Sequence, residues 1–137
     1  MSGTSLDGFD LALCNFEWKN GAWNFSIIKA ETIHYQQEWH KNLSDAPSLS
    51  AEELISLDHR YGDYIGELIN TFLKSIDSSP EFIVSHGHTI FHKPLEGYSF
   101  QLGNGNNISS TTKIPVVADL RNKDISHGGQ GAPLVPI

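Results

Sequence analysis

The chain opens on Met1-Ser2-Gly3-Thr4-Ser5-Leu6-Asp7-Gly8, where two glycines bracket two hydroxyls and a carboxylate. Gly3 and Gly8 can adopt positive φ or let another group approach the backbone closely. A turn of this make-up can aim several N–H groups at one anion, with the Thr4 and Ser5 hydroxyls beside them. That would be phosphate chemistry without a basic side chain. The competing reading is a hairpin turn that is polar because turns are polar. The spacing matches neither the P-loop nor the dinucleotide fingerprint, so the residues alone leave both readings open.

Three further groups could carry chemistry. His86, His88 and His92 are close in sequence, and imidazoles two residues apart on a strand share a face. No cysteine or carboxylate nearby completes a metal set, so no zinc site is expected from them. One histidine at a strand end is instead expected to hydrogen-bond a polar ligand. Asp119-Leu120-Arg121-Asn122-Lys123-Asp124 alternates charge signs in what reads as a loop. It is either a solvated surface or a substrate clamp in which Arg121 forks a carboxylate or a hydroxyl pair. Gly128-Gly129-Gln130-Gly131 follows and reads either as a flexible linker or as backbone shaped for close contact. Ser85 and His86 are sequence neighbours, but strand neighbours point to opposite faces, so acyl transfer is a poor fit.

These groups need elements to hold them. Phe9–Phe16 alternates as a strand, Asn20-Gly21 is a strong turn signal, and Trp23–Tyr35 reads as a second strand, which together predict a hairpin. Gln36–Leu43 is a short helix candidate, followed by a loop at Ser44–Pro47. Ser50 with Glu53 forms a capping box. Leu54, Leu57, Tyr61, Ile65, Leu68, Phe72 and Ile76 then recur at helical steps until Asp77-Ser78-Ser79-Pro80. Glu81–Ser85 and Ile114–Asp119 read as short buried strands, the second placed at a sheet edge or strand start by Pro115. Ser99–Leu102 has strand character, Gly103–Asn107 a turn, and Ile108–Lys113 a short helix. Leu120–Ile137 reads as a glycine-rich tail. Strand–helix–strand order implies a crossover and a mixed sheet. Ligands in such sheets gather at the carboxyl ends of parallel strands, where His86 and Asp119 fall.

Composition narrows the function classes. At 137 residues the chain is one domain's worth, with 39% apolar residues and aromatics spread throughout. The formal net charge of −7 argues against nucleic acid or an anionic membrane surface as the main partner. It does not forbid a nucleotide held by backbone amides. Cys14 is the only cysteine, which excludes an internal disulfide and a cysteine metal cluster and favours an intracellular setting. No apolar run approaches a membrane span, and no signal-peptide pattern is present.

Five motifs in fixed order, MSGTSLDG, SHGHTIFHKP, QLGN, VVADLRNKD and GGQGAPLVP, resemble the N-terminal part of the anhydro-N-acetylmuramic acid kinase family. The resemblance runs from Met1 to Ile137. It implies an α/β fold of the acetate and sugar kinase, Hsp70 and actin type: a ribonuclease-H-like mixed sheet with flanking helices, one lobe of two. It implies ATP and Mg²⁺ as cofactors and a cytoplasmic enzyme of cell-wall recycling. That enzyme opens the 1,6-anhydro bond of its sugar and phosphorylates O6. Gly3, Thr4, Ser5, Leu6, Asp7, Gly8 and Asp10 match the ATP-phosphate loop, with Asp7 placed to hold Mg²⁺ through water. His86, Asn104, Arg121, Asp124, Gln130 and Gly131 fall in the loops that line the sugar cleft.

The chain departs from the family pattern at several points. The family usually begins with a strand before MSGTS, has glutamine at the position of His88, and carries more arginine around Asn122 and Lys123. Its members are more than twice as long, and the continuation holds the water-activating aspartate and the adenosine pocket. The expectation is therefore a single N-terminal lobe over residues 1–137, without its first strand or the C-terminal lobe and with no catalytic residue of its own. Its partners are expected to be the sugar and ATP, and a homodimer of the full-length protein stays open. Two rivals remain: a non-catalytic phosphate- or nucleotide-binding module of the same fold, and a metal hydrolase built on the three histidines.

Overall fold

A computed structural model describes residues 2, 3 and 6–132, which form a mixed α/β structure of helices and small sheets. The predicted hairpin is present as β1 (Phe9–Lys19) and β2 (Ala22–Ile33), antiparallel around Asn20 and Gly21, both at positive φ. Its apolar side changes face half-way along. On β1, Phe9, Leu11 and Leu13 share one face, whereas Cys14, Phe16 and Trp18 take the other. A register shift at Leu13/Cys14 lets Ile27, Phe25 and Trp23 of β2 follow them. The base of the hairpin therefore buries Phe9 and Leu13. The tip carries an exposed aromatic face built from the Phe16–Phe25 and Trp18–Trp23 pairs.

α1 (Gln37–Asp45) runs two residues further than expected and continues into a 3-10 turn at Ala46–Ser48, in place of the predicted loop. α2 (Ala51–Leu73) starts at Ser50, whose side chain accepts from Glu53 N–H while the Glu53 carboxylate takes the Ser50 N–H, so the capping box is complete. Its buried stripe of Leu57, Tyr61, Ile65 and Ile69 forms the core with Phe9, Leu43, Ala46, Leu102 and Ile108. Ile76 lies beyond the helix end.

Beyond α2 the structure differs more from the sequence reading. β3 (Ile83–Val84) is shorter than expected, and Phe82 and Val84 are exposed rather than buried, because among the described residues β3 pairs only with β6. β4 (His88–Lys93) was not anticipated. It pairs antiparallel with β5 (Tyr98–Leu102) across a 3-10 turn at Pro94–Glu96. α3 (Gly105–Thr112) precedes β6 (Val116–Val117), which runs parallel to β3, so the expected crossover exists, but among the described residues the named strands pair as three two-stranded sheets and not as one mixed sheet. The residues read as a charged loop form a helix, α4 (Leu120–Ser126), with Ile125 turned into the protein. Ser2 links the two hairpins, bridging Phe9 in antiparallel and His88 in parallel fashion.

α2 and α3 touch through two glycines. A Cβ on Gly62 would lie 2.7 Å from the Asn104 carbonyl oxygen, and one on Gly66 2.6 Å from Thr111 Cβ. In an open helix, Gly→Ala gains up to ~1 kcal/mol. Here the contact is with a Cβ that cannot swing away, so overpacking, worth about 1–3 kcal/mol, should win. Gly66→Ala is expected to destabilise by roughly 1 kcal/mol or more in urea unfolding, and adding Thr111→Ala should recover part of the loss. A stabilised Gly66→Ala would show that the two helices do not approach this closely.

Candidate functional site

Ser2, Gly3 and Leu6–Gly8 form a loop closed at its stem by the Ser2–Phe9 bridge; Thr4 and Ser5 lie outside the described residues. Leu6 N–H donates to the Gly3 carbonyl at 3.2 Å. Leu6 itself has φ 58°, a conformation that costs a non-glycine residue free energy and is concentrated at functional sites. Gly8 is buried against the end of β2, and a Cβ there would meet the Ile33 carbonyl oxygen at 2.7 Å. The Asp7 carbonyl is engaged by His34 Nδ1 at 2.9 Å, while Asp7 as a residue is exposed. Asp10 Oδ1 accepts from the Thr32 hydroxyl at 2.6 Å. The loop thus presents exposed backbone at Gly3 and an exposed carboxylate at Asp7. Both fit a Mg²⁺–phosphate group held by amides and water-mediated oxygen contacts.

The second cluster joins the ends of β3 and β6. Arg121 Nε donates to His86 Nε2 at 3.0 Å, and Arg121 Nη1 donates to the Gly131 carbonyl at 2.7 Å. His86 Nδ1 lies 3.1 Å from the Gly87 carbonyl, so the ring carries its proton on Nδ1 and accepts at Nε2. Burial pushes the His86 pKa down, the Gly87 hydrogen bond opposes this, and the Arg121 charge adds to the lowering. No carboxylate pairs with Arg121 at ion-pair distance among the described residues. A half-buried guanidinium held in place by neutral partners keeps its charge available for an anionic or multiply hydroxylated ligand.

Gly128–Gly131 folds back on α4. Gly131 N–H donates to Asp124 Oδ2 at 2.8 Å, and a side chain at Gly129 would collide with that carboxylate. The glycine run therefore serves an internal contact that fixes the Gly131 carbonyl for Arg121. Gln130 is exposed and borders a shallow pocket with His92, Lys93 and Leu95. Asn104 caps α3, accepting from Asn106 N–H at 3.1 Å, and donates to Asp58 Oδ2 at 3.1 Å. Its amide is occupied within the fold.

The three histidines separate. His86 meets Arg121, His88 Nδ1 lies 2.8 Å from Ser2 Oγ, and His92 Nδ1 lies 3.2 Å from Ser99 Oγ. Among the described residues no group of three potential ligands could hold a metal ion. Sequence reasoning passed over Ser2, Ser99 and Asn122. Asn122 Oδ1 accepts from Ser99 N–H at 2.7 Å and its amide donates to Asp119, tying α4 to β5. The Thr89-Ile90-Phe91 run before Pro94 and Gly97 was the available signal for this second hairpin.

Comparison with known proteins agrees along the whole chain. The family model for anhydro-N-acetylmuramic acid kinase matches residues 1–137. A protein of that name from Pasteurella multocida is 38% identical over 99% of this chain and 37% of its own length. Namesakes from Photobacterium profundum and Gloeothece citriformis are 36% and 38% identical, over 99% of this chain and 37% and 38% of theirs. The chain spans well under half the length of the curated relatives it matches. No helix among the described residues is long and apolar enough to cross a membrane.

Burial also lowers the pKa of His88, with the nearby His86 charge adding to the effect. Both histidines thus resist in the native state a proton that the unfolded chain accepts near 6.5. Their contribution is neutral above that pH, and stability is lost as pH falls from the unfolded value towards the lowered native ones. Thermal melts between about pH 7.5 and 5.5 should show a falling Tm, and His86→Gln with His88→Gln should flatten the slope. A slope that the double variant leaves unchanged would assign the effect elsewhere.

Proposed function

The chain belongs to the anhydro-N-acetylmuramic acid kinase family, and from that premise we propose that it is the N-terminal, ribonuclease-H-like lobe of a two-lobed, ATP-dependent sugar kinase. The reaction proposed is the family's: the 1,6-anhydro bond is hydrolysed and O6 is phosphorylated, giving the sugar 6-phosphate and ADP, in a cytoplasmic enzyme of cell-wall recycling. ATP supplies the phosphoryl group when bound, with Mg²⁺. The observation that carries this reading is the match over residues 1–137. The two clusters described above are where such a lobe would hold its ligands.

In this reading Gly3, Thr4, Ser5, Leu6 and Gly8 position the ATP phosphates through backbone N–H groups and hydroxyls, and Asp7 holds hydrated Mg²⁺. Asp10 steadies the loop from the start of β1. Arg121, oriented by His86 and the Gly131 carbonyl, receives the sugar's acid group or a hydroxyl pair. Asp124 holds Gly131, and Gln130 and Asn104 are assigned to the sugar on the family resemblance alone. Catalysis by this lobe is positioning and charge stabilisation. The water-activating base and the pocket for the adenine are assigned to the remainder of the full-length enzyme, whose two copies can pair.

Coupled ADP release tests the division of labour. Full-length protein should turn over only with both anhydro-sugar and ATP. The 137-residue chain alone should not, since a missing general base alone typically costs ~10²–10⁴-fold. In the full-length protein, Gly3→Val should raise KM for ATP by about tenfold or more, and Arg121→Ala should do so for the sugar, with little crossover. Fragment turnover within about tenfold of the full-length rate, or the reverse pattern of KM changes, would overturn it.

A further inference from the structure

We infer that His88 is a positioning residue for the phosphate loop and acts on it through Ser2. The inference rests on the proposed role of that loop, but its evidence is a separate set of contacts. Ser2 adjoins the exposed Gly3, yet is itself only 3% exposed. It is gripped from both sides. Its backbone bridges Phe9 on one side and His88 on the other, and its N–H donates to the Gly87 carbonyl at 3.3 Å. Its hydroxyl meets His88 Nδ1 at 2.8 Å, in a pair buried on both sides.

Against the rise that burial imposes, the Ser2 hydroxyl also lowers the pKa of Tyr35 and Tyr61, whose own hydroxyls are bonded to each other. Two hydrogen-bonded pairs, the buried Ser2–His88 and the part-buried Tyr35–Tyr61, thus flank the stem of the loop. The Ser2–His88 pair fixes side-chain orientation strongly, because a buried polar atom left unpaired is costly.

The consequence falls on Gly3. Ser2 and Phe9 form the stem of the loop, so the direction of the Ser2 backbone sets where the following amides point. Anion binding by backbone amides depends on their convergence. His88 holds the stem from the side opposite the β1–β2 hairpin, and Gly87 makes room for it. With φ 71°, Gly87 lies where a side chain would run into the Leu102 carbonyl. His88 touches no ligand in this scheme. Glutamine at this position, with an amide of similar reach, could make the same bond to Ser2.

The test is steady-state kinetics on the full-length protein with both substrates varied. His88→Leu keeps the bulk and removes the hydrogen bond. It should raise KM for ATP about five- to tenfold and leave KM for the sugar within about twofold, as expected for loss of one buried hydrogen bond. His88→Gln should restore the wild-type KM for ATP. Ser2→Ala should reproduce the defect, and Ser2→Ala with His88→Leu should be no worse than either alone. A purely structural role would lower the fraction of active enzyme and hence kcat, without separating the two KM values. Ser2→Ala, which removes one oxygen, carries the same test if His88→Leu fails to fold. An unchanged KM for ATP, equal rises in both KM values, or additive effects in the double variant would overturn the inference. A wild-type protein that does not use ATP would instead overturn the kinase reading, and this inference with it.

Discussion

Tyr61 is the residue on which the rest of the structure depends. It has no exposed surface, and four parts of the chain converge on it. Phe9 of β1 meets its ring edge-on at 6.5 Å, Trp39 of α1 lies at 5.3 Å, and Tyr64 of its own helix stacks beside it. Its hydroxyl pairs with Tyr35, just past β2. A buried phenol is favourable only when its oxygen has a partner. The Tyr35–Tyr61 pair therefore does more than fill space: it fixes how the first hairpin sits on α2. Burial raises the pKa of both phenols, so the pair stays protonated and neutral across the physiological range.

From that centre the candidate site is built outward. Tyr61 and Phe9 place the base of the first hairpin, and Ser2 joins that base to the second hairpin through His88. The parallel β3–β6 pair delivers His86 and Arg121 from its carboxyl ends, and the fold-back of Gly128–Gly131 on Asp124 completes the guanidinium's surroundings. A loop with exposed backbone at Gly3 and an oriented guanidinium, without a carboxylate at ion-pair distance among the described residues, thus belong to adjoining elements of one scaffold. That arrangement suits the proposed division of labour, with phosphate held by backbone and substrate by a side chain.

The sequence made some of this legible and hid the rest for physical reasons. The hairpin, α1, α2 and α3 were readable because their signals are local: an Asn-Gly turn, a capping box, and a helical stripe ending at a proline. β4 was hidden because its histidines drew attention as ligands while its Thr-Ile-Phe run was short. α4 was hidden because its charges and the glycines behind it resembled a solvated loop. The burial of Ile125 and the Ser99–Asn122 bond, both tertiary, help hold it as a helix. Arg121 and His86 could each be singled out from sequence, but their contact joins residues far apart in the chain. The exposed aromatic tip of the first hairpin depends on a bulge in β2 that keeps Trp23, Phe25 and Ile27 opposite Trp18, Phe16 and Cys14, and that pairing is not readable from either strand alone.

The central claim is that two separate parts of this lobe meet two separate ligands: the Ser2–Gly8 loop meets the nucleotide's phosphates, and the Arg121–Gly131 segment meets the sugar. Hydrogen–deuterium exchange on the full-length protein reads this directly, with a non-hydrolysable ATP analogue and the anhydro-sugar added one at a time. The account predicts slowed amide exchange in residues 3–8 with the nucleotide alone and in residues 120–131 with the sugar alone. Protection of the second segment by nucleotide and of the first by sugar, or protection of neither, would contradict it.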